Sequence, residues 1–186
     1  AGAVFHLANS AALFELPDSV FDAARPGVAL YGLAPSARVT SARVGELEPV
    51  LEWTTRVAFL KDVPAGTGLS YGHTARTTRR SLIATLPVGY ADGLRRGLSG
   101  RMDVLLHGVR CPQLGTITMD QCLVDATALR GRVALGDEAV ILGRRGNETI
   151  AAEELAARLG TIAYEIVTGI SPRVPRVPVD EEPAEG

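Results

Sequence analysis

Met102-Asp103-Val104-Leu105-Leu106-His107-Gly108-Val109-Arg110-Cys111 reads as two short apolar runs about a His107-Gly108 turn, the pattern of a β-hairpin. The same pattern repeats outward from it. Upstream, apolar residues recur with period two at Leu82, Ala84, Leu86 and Val88, which is one face of a strand. Trp53 to Val63, with Val57 and Phe59 two apart, reads as another strand region. Downstream, Thr116 to Asp125 is expected to be a strand, and Gly136-Asp137 a turn between Val133 and a strand from Glu138 to Leu142. Many short strands punctuated by Gly, Pro and Asp predict a mainly β domain, a barrel or a sandwich. One helix is expected late, from Ala152 to Leu159. It has carboxylates in its first turn, Arg158 in its last and Gly160 as its stop.

The beginning of the chain follows a different pattern. Ala3 to Leu7 reads as a strand, Ala11 to Leu16 as a helix with Ser10 as its N-cap, and Val28 to Tyr31 as a second strand closed by Gly32 and Pro35. Pro17-Asp18 breaks the helix, and a short amphipathic piece runs from Ser19 to Ala24. Strand–helix–strand with continuously apolar strands points to a parallel sheet buried on both faces. The stretch is too short to be a domain and is expected to be the tail of one. Ser36 to Glu48 is polar and loop-like. The expected organisation is therefore a barrel tail over 1–36, a β domain over 37–180 and a frayed acidic tail over 181–186.

Composition narrows the function classes. The chain has 186 residues, 19 Lys+Arg against 21 Asp+Glu and a net charge of −2. This balance gives no electrostatic case for nucleic acid or an acidic membrane surface. No apolar run approaches the ~20 residues of a membrane span. Two cysteines, Cys111 and Cys122, make neither a disulfide framework nor a four-ligand zinc site, and read as small buried hydrophobes. Lys61 is the sole lysine. The N-terminus lacks the pattern of a secretory signal and has no initiator Met, so a fragment or a processed chain is expected.

Four stretches could carry chemistry. His6-Leu7-Ala8-Asn9-Ser10, followed by Arg25-Pro26-Gly27-Val28, sets a hydroxyl at a helix N-terminus beside a glycine, which suits an anion. In (β/α)₈ barrels a phosphate site often forms from the loops after the last strands. Pro64-Ala65-Gly66-Thr67-Gly68-Leu69-Ser70-Tyr71-Gly72 is a glycine-rich loop presenting a tyrosine. Such a tyrosine can act as a general acid or base if a positive charge lowers its ordinary pKa of about 10. Pro87 to Arg96 is a strand end with a turn, and in Gly115 to Gln121 a backbone N–H or a carboxylate can face a ligand. Each motif taken alone has a structural explanation: an N-cap, a surface tyrosine, a turn, a core methionine.

Taken in order, they have a family. His-Leu-Ala-Asn-Ser, Arg-Pro-Gly-Val-Ala-Leu-Tyr-Gly, Pro-Ala-Gly-Thr-Gly-Leu-Ser-Tyr-Gly, Pro-Val-Gly-Tyr-Ala-Asp-Gly, Gly-Thr-Ile-Thr-Met-Asp-Gln and Thr-Ile-Ala-Tyr-Glu with Ser-Pro-Arg-Val-Pro-Arg together resemble alanine racemase, from about His6 to Arg176. The resemblance implies a pyridoxal-phosphate enzyme that interconverts L- and D-alanine, supplying D-alanine for peptidoglycan. It implies a cytoplasmic bacterial homodimer in which a (β/α)₈ cofactor-binding barrel precedes a β-barrel-like C-terminal domain. By the match, Ser10 and Tyr164 offer hydroxyls to the cofactor phosphate, Gly27 and Val28 offer backbone N–H groups, and Arg25 hydrogen-bonds the pyridine nitrogen. Tyr71 matches a base contributed across the dimer interface. Met119 matches the residue whose N–H meets the substrate carboxylate, and Tyr90, Arg96 and Asp120 match positions near the entrance or behind it.

The resemblance also has a gap. The family's cofactor lysine and its carboxylate-binding arginine lie on barrel segments without a counterpart here, and Lys61 falls where the family carries an ordinary lysine. The expectation is a C-terminal part of an alanine racemase, inactive alone and not binding pyridoxal phosphate covalently. Two alternatives stand beside it: a free-standing β domain acting as an interaction module, and part of a racemase for another amino acid. Residues before Ser36 are expected to be poorly anchored or packed against a second chain, because barrel strands without neighbours leave apolar faces open.

Overall fold

The computed structural model describes residues 2–179. The acidic tail expected over 181–186 lies outside the described residues. Two strands, β1 (His6–Asn9) and β2 (Ala23–Arg25), pair in parallel, with helix α1 (Ser10–Glu15) between them. Ten strands follow: β3 (Trp53–Arg56), β4 (Phe59–Val63), β5 (Gly68–Leu69), β6 (Ala75–Arg76), β7 (Ser81–Leu86), β8 (Asp103–Leu106), β9 (Val109–Leu114), β10 (Cys122–Asp125), β11 (Glu138–Arg145) and β12 (Glu148–Ile150). Helices α2 (Ala152–Leu159) and α3 (Ala163–Thr168) complete the described chain. The fold is mainly β.

Eight strands form one sheet in the order β12-β11-β8-β9-β10-β7-β4, with β3 also on β11. All of these pairs are antiparallel. β3 and β4 are nearly continuous in sequence, yet β3 pairs with β11 and β4 with β7. Between them Val57 exchanges backbone bonds with Gly136 and Asp137, while the Ala58 N–H donates to Thr85 at 2.9 Å. The β3–β4 segment thus bridges the two ends of the sheet and closes it into a barrel, which leaves few free edges.

The period-two pattern builds the interior. Ala84, Leu86, Val88, Val104, Leu106, Val124 and Val140 are buried in one core. Leu105 is buried too, so β8 is covered on both faces, and Leu155 and Ala156 of α2 belong to the same core. On the other face of β7, Ile83 packs in a smaller cluster with Val63 and Leu69. The hairpin turn at His107-Gly108 has φ of 50° and 71°, the left-handed pair that a two-residue turn between right-twisted strands requires.

Several expectations shift. Val28–Tyr31 is a 3₁₀ turn rather than a strand, and the second strand of the strand–helix–strand unit is Ala23–Arg25. The Ser10 hydroxyl draws in the amides of Gly27 and Ala29, which coils this segment instead of extending it. Asn9, not Ser10, is the N-cap of α1, its side chain accepting the Ala12 N–H at 3.0 Å. The strand expected from Thr116 begins only at Cys122, because Gly115 turns at φ 72° and Thr118 folds back onto the Gln121 carbonyl. Val57 is buried while Phe59 is exposed, since the barrel-closing bend separates them. α3 is a helix that the sequence reading did not separate from its surroundings.

The first 35 residues are half-anchored. Val28 and Leu33 join the main core, and Glu15 accepts the N–H groups of Thr40 and Ser41. The side chains of Val4, Phe5, Leu7, Leu16, Phe21 and Leu30 are nevertheless exposed, uncovered by the rest of the described chain.

Candidate active site

The sequence-predicted residues fall into two groups. The first lies where β1 hands over to α1. Ser10 is buried, and its Oγ accepts the Gly27 N–H at 2.7 Å and the Ala29 N–H at 3.4 Å. The Ser10 hydroxyl hydrogen is left to donate outward. The Val28 N–H has no hydrogen-bond partner among the described residues, and it sits at the start of a 3₁₀ turn where N–H groups point out of the chain. Only Ser10 Oγ comes within 4 Å of the position a Gly27 Cβ would take, so the backbone is open to close approach. Arg25 lies opposite Asn9 and donates from Nη2 to the Leu7 carbonyl at 3.4 Å. A hydroxyl, an unpaired amide and an open glycine fit a phosphate group.

The second group is built around Tyr71, whose side chain is 77% exposed. Its loop holds three residues at positive φ within four positions: Ser70 at 57°, Gly72 at 71° and His73 at 47°. Ser70, with ψ at −176°, stands in a region that glycine occupies almost alone, at a cost of roughly 1–3 kcal/mol. It is held by its own hydroxyl, which donates to the Thr116 carbonyl at 2.6 Å. Thr116 Oγ1 in turn reaches the Tyr71 carbonyl at 3.4 Å and Thr74 Oγ1 at 3.2 Å. A pocket of about 310 Å³ opens here, lined by Ser70, Tyr71, Thr116, Thr118, Gln121 and Cys122 among others.

Met119 sits at the tip of the turn that borders this pocket. The Thr118 N–H and hydroxyl both donate to the Gln121 carbonyl, at 3.0 and 2.9 Å. The Thr118 and Met119 carbonyls accept the Tyr90 and Ala91 N–H groups, at 2.9 and 2.8 Å. The Met119 N–H has no partner among the described residues and is available to a ligand carboxylate. Asp120 is exposed beside it, and Tyr90 and Arg96 are exposed on the facing segment. Ser99 joins Arg96 to the same turn, its hydroxyl donating to the Arg96 carbonyl at 2.6 Å and accepting the Ile117 N–H at 2.9 Å.

Tyr164 belongs to neither group by hydrogen bonding. It is partly buried on α3, packed against the main core. Lys61 lies in β4 opposite Ile83. Burial pushes the Cys111 thiol up to about 11 and the Cys122 thiol up to about 12, which removes both as nucleophiles at neutral pH. Among the described residues no cluster of three or more His, Cys, Asp or Glu side chains could hold a metal, and no helix is long and apolar enough to cross a membrane.

Three supporting residues escaped the sequence reading. Asp92, read as part of a turn, is a nearly buried carboxylate that accepts the Gly89 N–H at 2.9 Å and faces Arg173 Nε at 3.4 Å. Gln113 is buried and spends its amide on the Leu114 and Gly115 carbonyls and the Gly100 N–H, which fixes the approach to Thr116. Thr116 was expected in a strand and is instead the hub of the Tyr71 loop. Gly115, immediately before Thr116 and at φ 72°, was the available signal, since a tight turn beside a hydroxyl residue marks a loop rather than an extended strand.

The comparisons with known proteins agree on one family. The model of the alanine racemase C-terminal domain matches residues 50–178, and that of the alanine racemase N-terminal domain matches residues 1–35. The alanine racemase of Symbiobacterium thermophilum is 50% identical over 177 residues, which is 94% of this chain and 45% of that protein. The alanine racemase of Clostridium novyi is 46% identical over 172 residues, 92% of this chain and 44% of its own. The crystal structure of alanine racemase from Bacillus anthracis with bound L-Ala-P has a TM-score of 0.87 at 44% identity, covering 95% of this chain and 45% of that one. That from Streptomyces lavendulae gives 0.86 at 44% identity, covering 96% and 46%. The chain therefore spans a little under half the length of the relatives it matches. On its sequence and its fold alike, the chain belongs to the alanine racemase family.

Proposed function

We propose that this chain is the C-terminal part of a pyridoxal-phosphate-dependent alanine racemase, which interconverts L- and D-alanine and supplies the D-enantiomer for peptidoglycan. It divides near residue 36 into a barrel tail and a β domain running to about 180, a division supported by the change from parallel to antiparallel pairing. The same family resemblance supports a cytoplasmic location.

Pyridoxal phosphate, when bound, supplies the electron sink that acidifies the Cα–H of alanine. The Ser10 hydroxyl, the Val28 N–H and the Tyr164 hydroxyl would hold its phosphate, with the Gly27 N–H, engaged by Ser10, orienting that hydroxyl. Arg25 would donate to the ring nitrogen and, as a group that does not lose its proton, would leave that nitrogen unprotonated. Met119 N–H orients the substrate carboxylate, and Tyr71 moves a proton on one face of Cα. The other face is served by a lysine outside this chain. Tyr90, Arg96 and Asp120 line the approach.

One observation carries this reading: among the described residues no hydrogen bond joins the Ser10 cradle to the Tyr71–Met119 group, and the Tyr71 side chain is exposed. Two half-sites on one chain suit a homodimer in which the tyrosine of one subunit completes the cofactor site of the other. The uncovered apolar side chains from Val4 to Leu30 further favour barrel strands packed on this piece over a free-standing module. The test is racemisation of L-alanine in D₂O by the full-length polypeptide carrying this chain. The expected result is loss of optical rotation with deuterium at Cα, slowed about 100-fold or more by Tyr71→Phe. No racemisation by the unmutated protein, or full activity of Tyr71→Phe, would contradict it.

A further inference from the structure

We propose that Ser70 is a positioning residue for proton transfer, and that through Thr116 it sets Tyr71 and the Met119 N–H in one rigid unit. The inference rests on the reading of Tyr71 as the proton-transfer group. Ser70 immediately precedes Tyr71, at φ 57° and ψ −176°, a backbone state that side-chain-bearing residues avoid. A residue there persists only if its surroundings hold it. Here the short tie is the Ser70 hydroxyl donating to the Thr116 carbonyl at 2.6 Å, beside a longer bond from the His73 N–H to the Ser70 carbonyl at 3.2 Å.

The surroundings are shaped for that tie. Gly115, at φ 72°, has no Cβ, and one placed there would stand 2.9 Å from the Ser70 Cβ and 3.0 Å from the Leu69 carbonyl oxygen. Gln113 fixes the Gly115 carbonyl from below at 3.0 Å. Thr116 returns a second contact, from its hydroxyl to the Tyr71 carbonyl at 3.4 Å. Two residues further on, Thr118 folds the turn that exposes the Met119 N–H. The carbonyl that fixes the tyrosine loop therefore lies three residues before the amide that would receive the substrate carboxylate. A shift of the Ser70–Thr116 tie moves the base relative to the substrate, and among the described residues the Tyr71 hydroxyl has no hydrogen bond that would restore it.

The test uses the full-length holoenzyme with Ser70→Gly, Tyr71→Phe and the double variant. Glycine accepts the backbone state without strain, so the fold is kept while the tie is lost. Thermal unfolding midpoints within a few degrees of the unmutated enzyme check this. The expected result for Ser70→Gly is a kcat about 10–100-fold lower with KM changed far less. The primary isotope effect on α-deuterated alanine should rise for the enantiomer that yields its proton to Tyr71 and fall for the other, a split that a general loss of stability does not produce. In the Tyr71→Phe background Ser70→Gly should cost nothing further. Unchanged kcat in Ser70→Gly, or an equal added loss in the Tyr71→Phe background, would overturn the positioning role while leaving the racemase reading intact. An inactive unmutated enzyme would overturn that reading, and this inference with it.

Discussion

Gly89 and Thr118 are in backbone contact: a Cβ on Gly89 would fall within 2.5 Å of the Asp120 amide nitrogen and closer still to the Thr118 carbonyl oxygen. The atoms it would strike are backbone, which cannot swing away. The contact seats the Tyr90 and Ala91 N–H groups on the Thr118 and Met119 carbonyls. Gly89→Ala is expected to destabilise the chain by about 1–3 kcal/mol and to displace the Met119 turn. Urea unfolding checks the first part. A rise in KM for alanine of the full-length enzyme checks the second.

The bond from Gly27 N–H to Ser10 Oγ, at 2.7 Å, gives another prediction. Ser10→Ala takes from the Gly27 amide its hydroxyl partner, but Gly27 is exposed and water can replace it, so the cost in stability should be about 1 kcal/mol or less. It also removes a donor to the phosphate. Pyridoxal-phosphate affinity of the full-length protein, followed by spectroscopic titration, should fall about tenfold or more. Ser10→Thr keeps the hydroxyl and should retain most of the affinity.

Acid stability centres on Arg110. Its guanidinium meets Glu154 through two bonds, at 2.8 and 3.0 Å, and reaches Glu148 at 2.8 Å. Arg158 adds a bond to Glu154 at 2.6 Å and one to Asp103 at 3.2 Å. The Arg110 hydrogen bonds hold the Glu154 carboxyl below its ordinary value of 4.5. A carboxylate with a lowered folded pKa stabilises fully above its unfolded pKa, and that stabilisation is lost as pH falls through the folded value. Arg110→Met should therefore cost about 1–2 kcal/mol near neutral pH, discounted for partial exposure of the pair. The gap to the unmutated chain should narrow below about pH 4.5. Urea midpoints across that range measure it.

Much of the fold was legible because burial on one face leaves a period-two record, as at Leu82, Ala84, Leu86 and Val88. It failed where side chains rather than periodicity direct the backbone. Val28–Tyr31 is apolar like a strand, yet Ser10 coils it through bonds to residues 17 and 19 positions away in sequence, long-range hydrogen bonds with no local mark. Thr116–Gln121 alternates like a strand, but Thr118 closes it onto Gln121. The candidate site was legible as ordered motifs, and the structure sorts them into two groups. Thr116, Gln113 and Asp92 stayed hidden because their role is to hold backbone, and common polar residues in loops carry no pattern that announces it. The closure of the barrel through the β3–β4 bend was equally invisible, since it depends on which strands meet and not on what either looks like.

If this chain carries one half of a racemase site, as proposed, the cofactor lysine lies on another segment of the full-length polypeptide. Borohydride reduction of the full-length polypeptide with bound pyridoxal phosphate, followed by peptide mapping, tests it most directly. The expected result is one pyridoxyl group per subunit, on a lysine outside residues 1–186, with no stoichiometric label on this chain when it is treated alone. A saturable label on Lys61 would contradict it and would place the lysine chemistry within this chain.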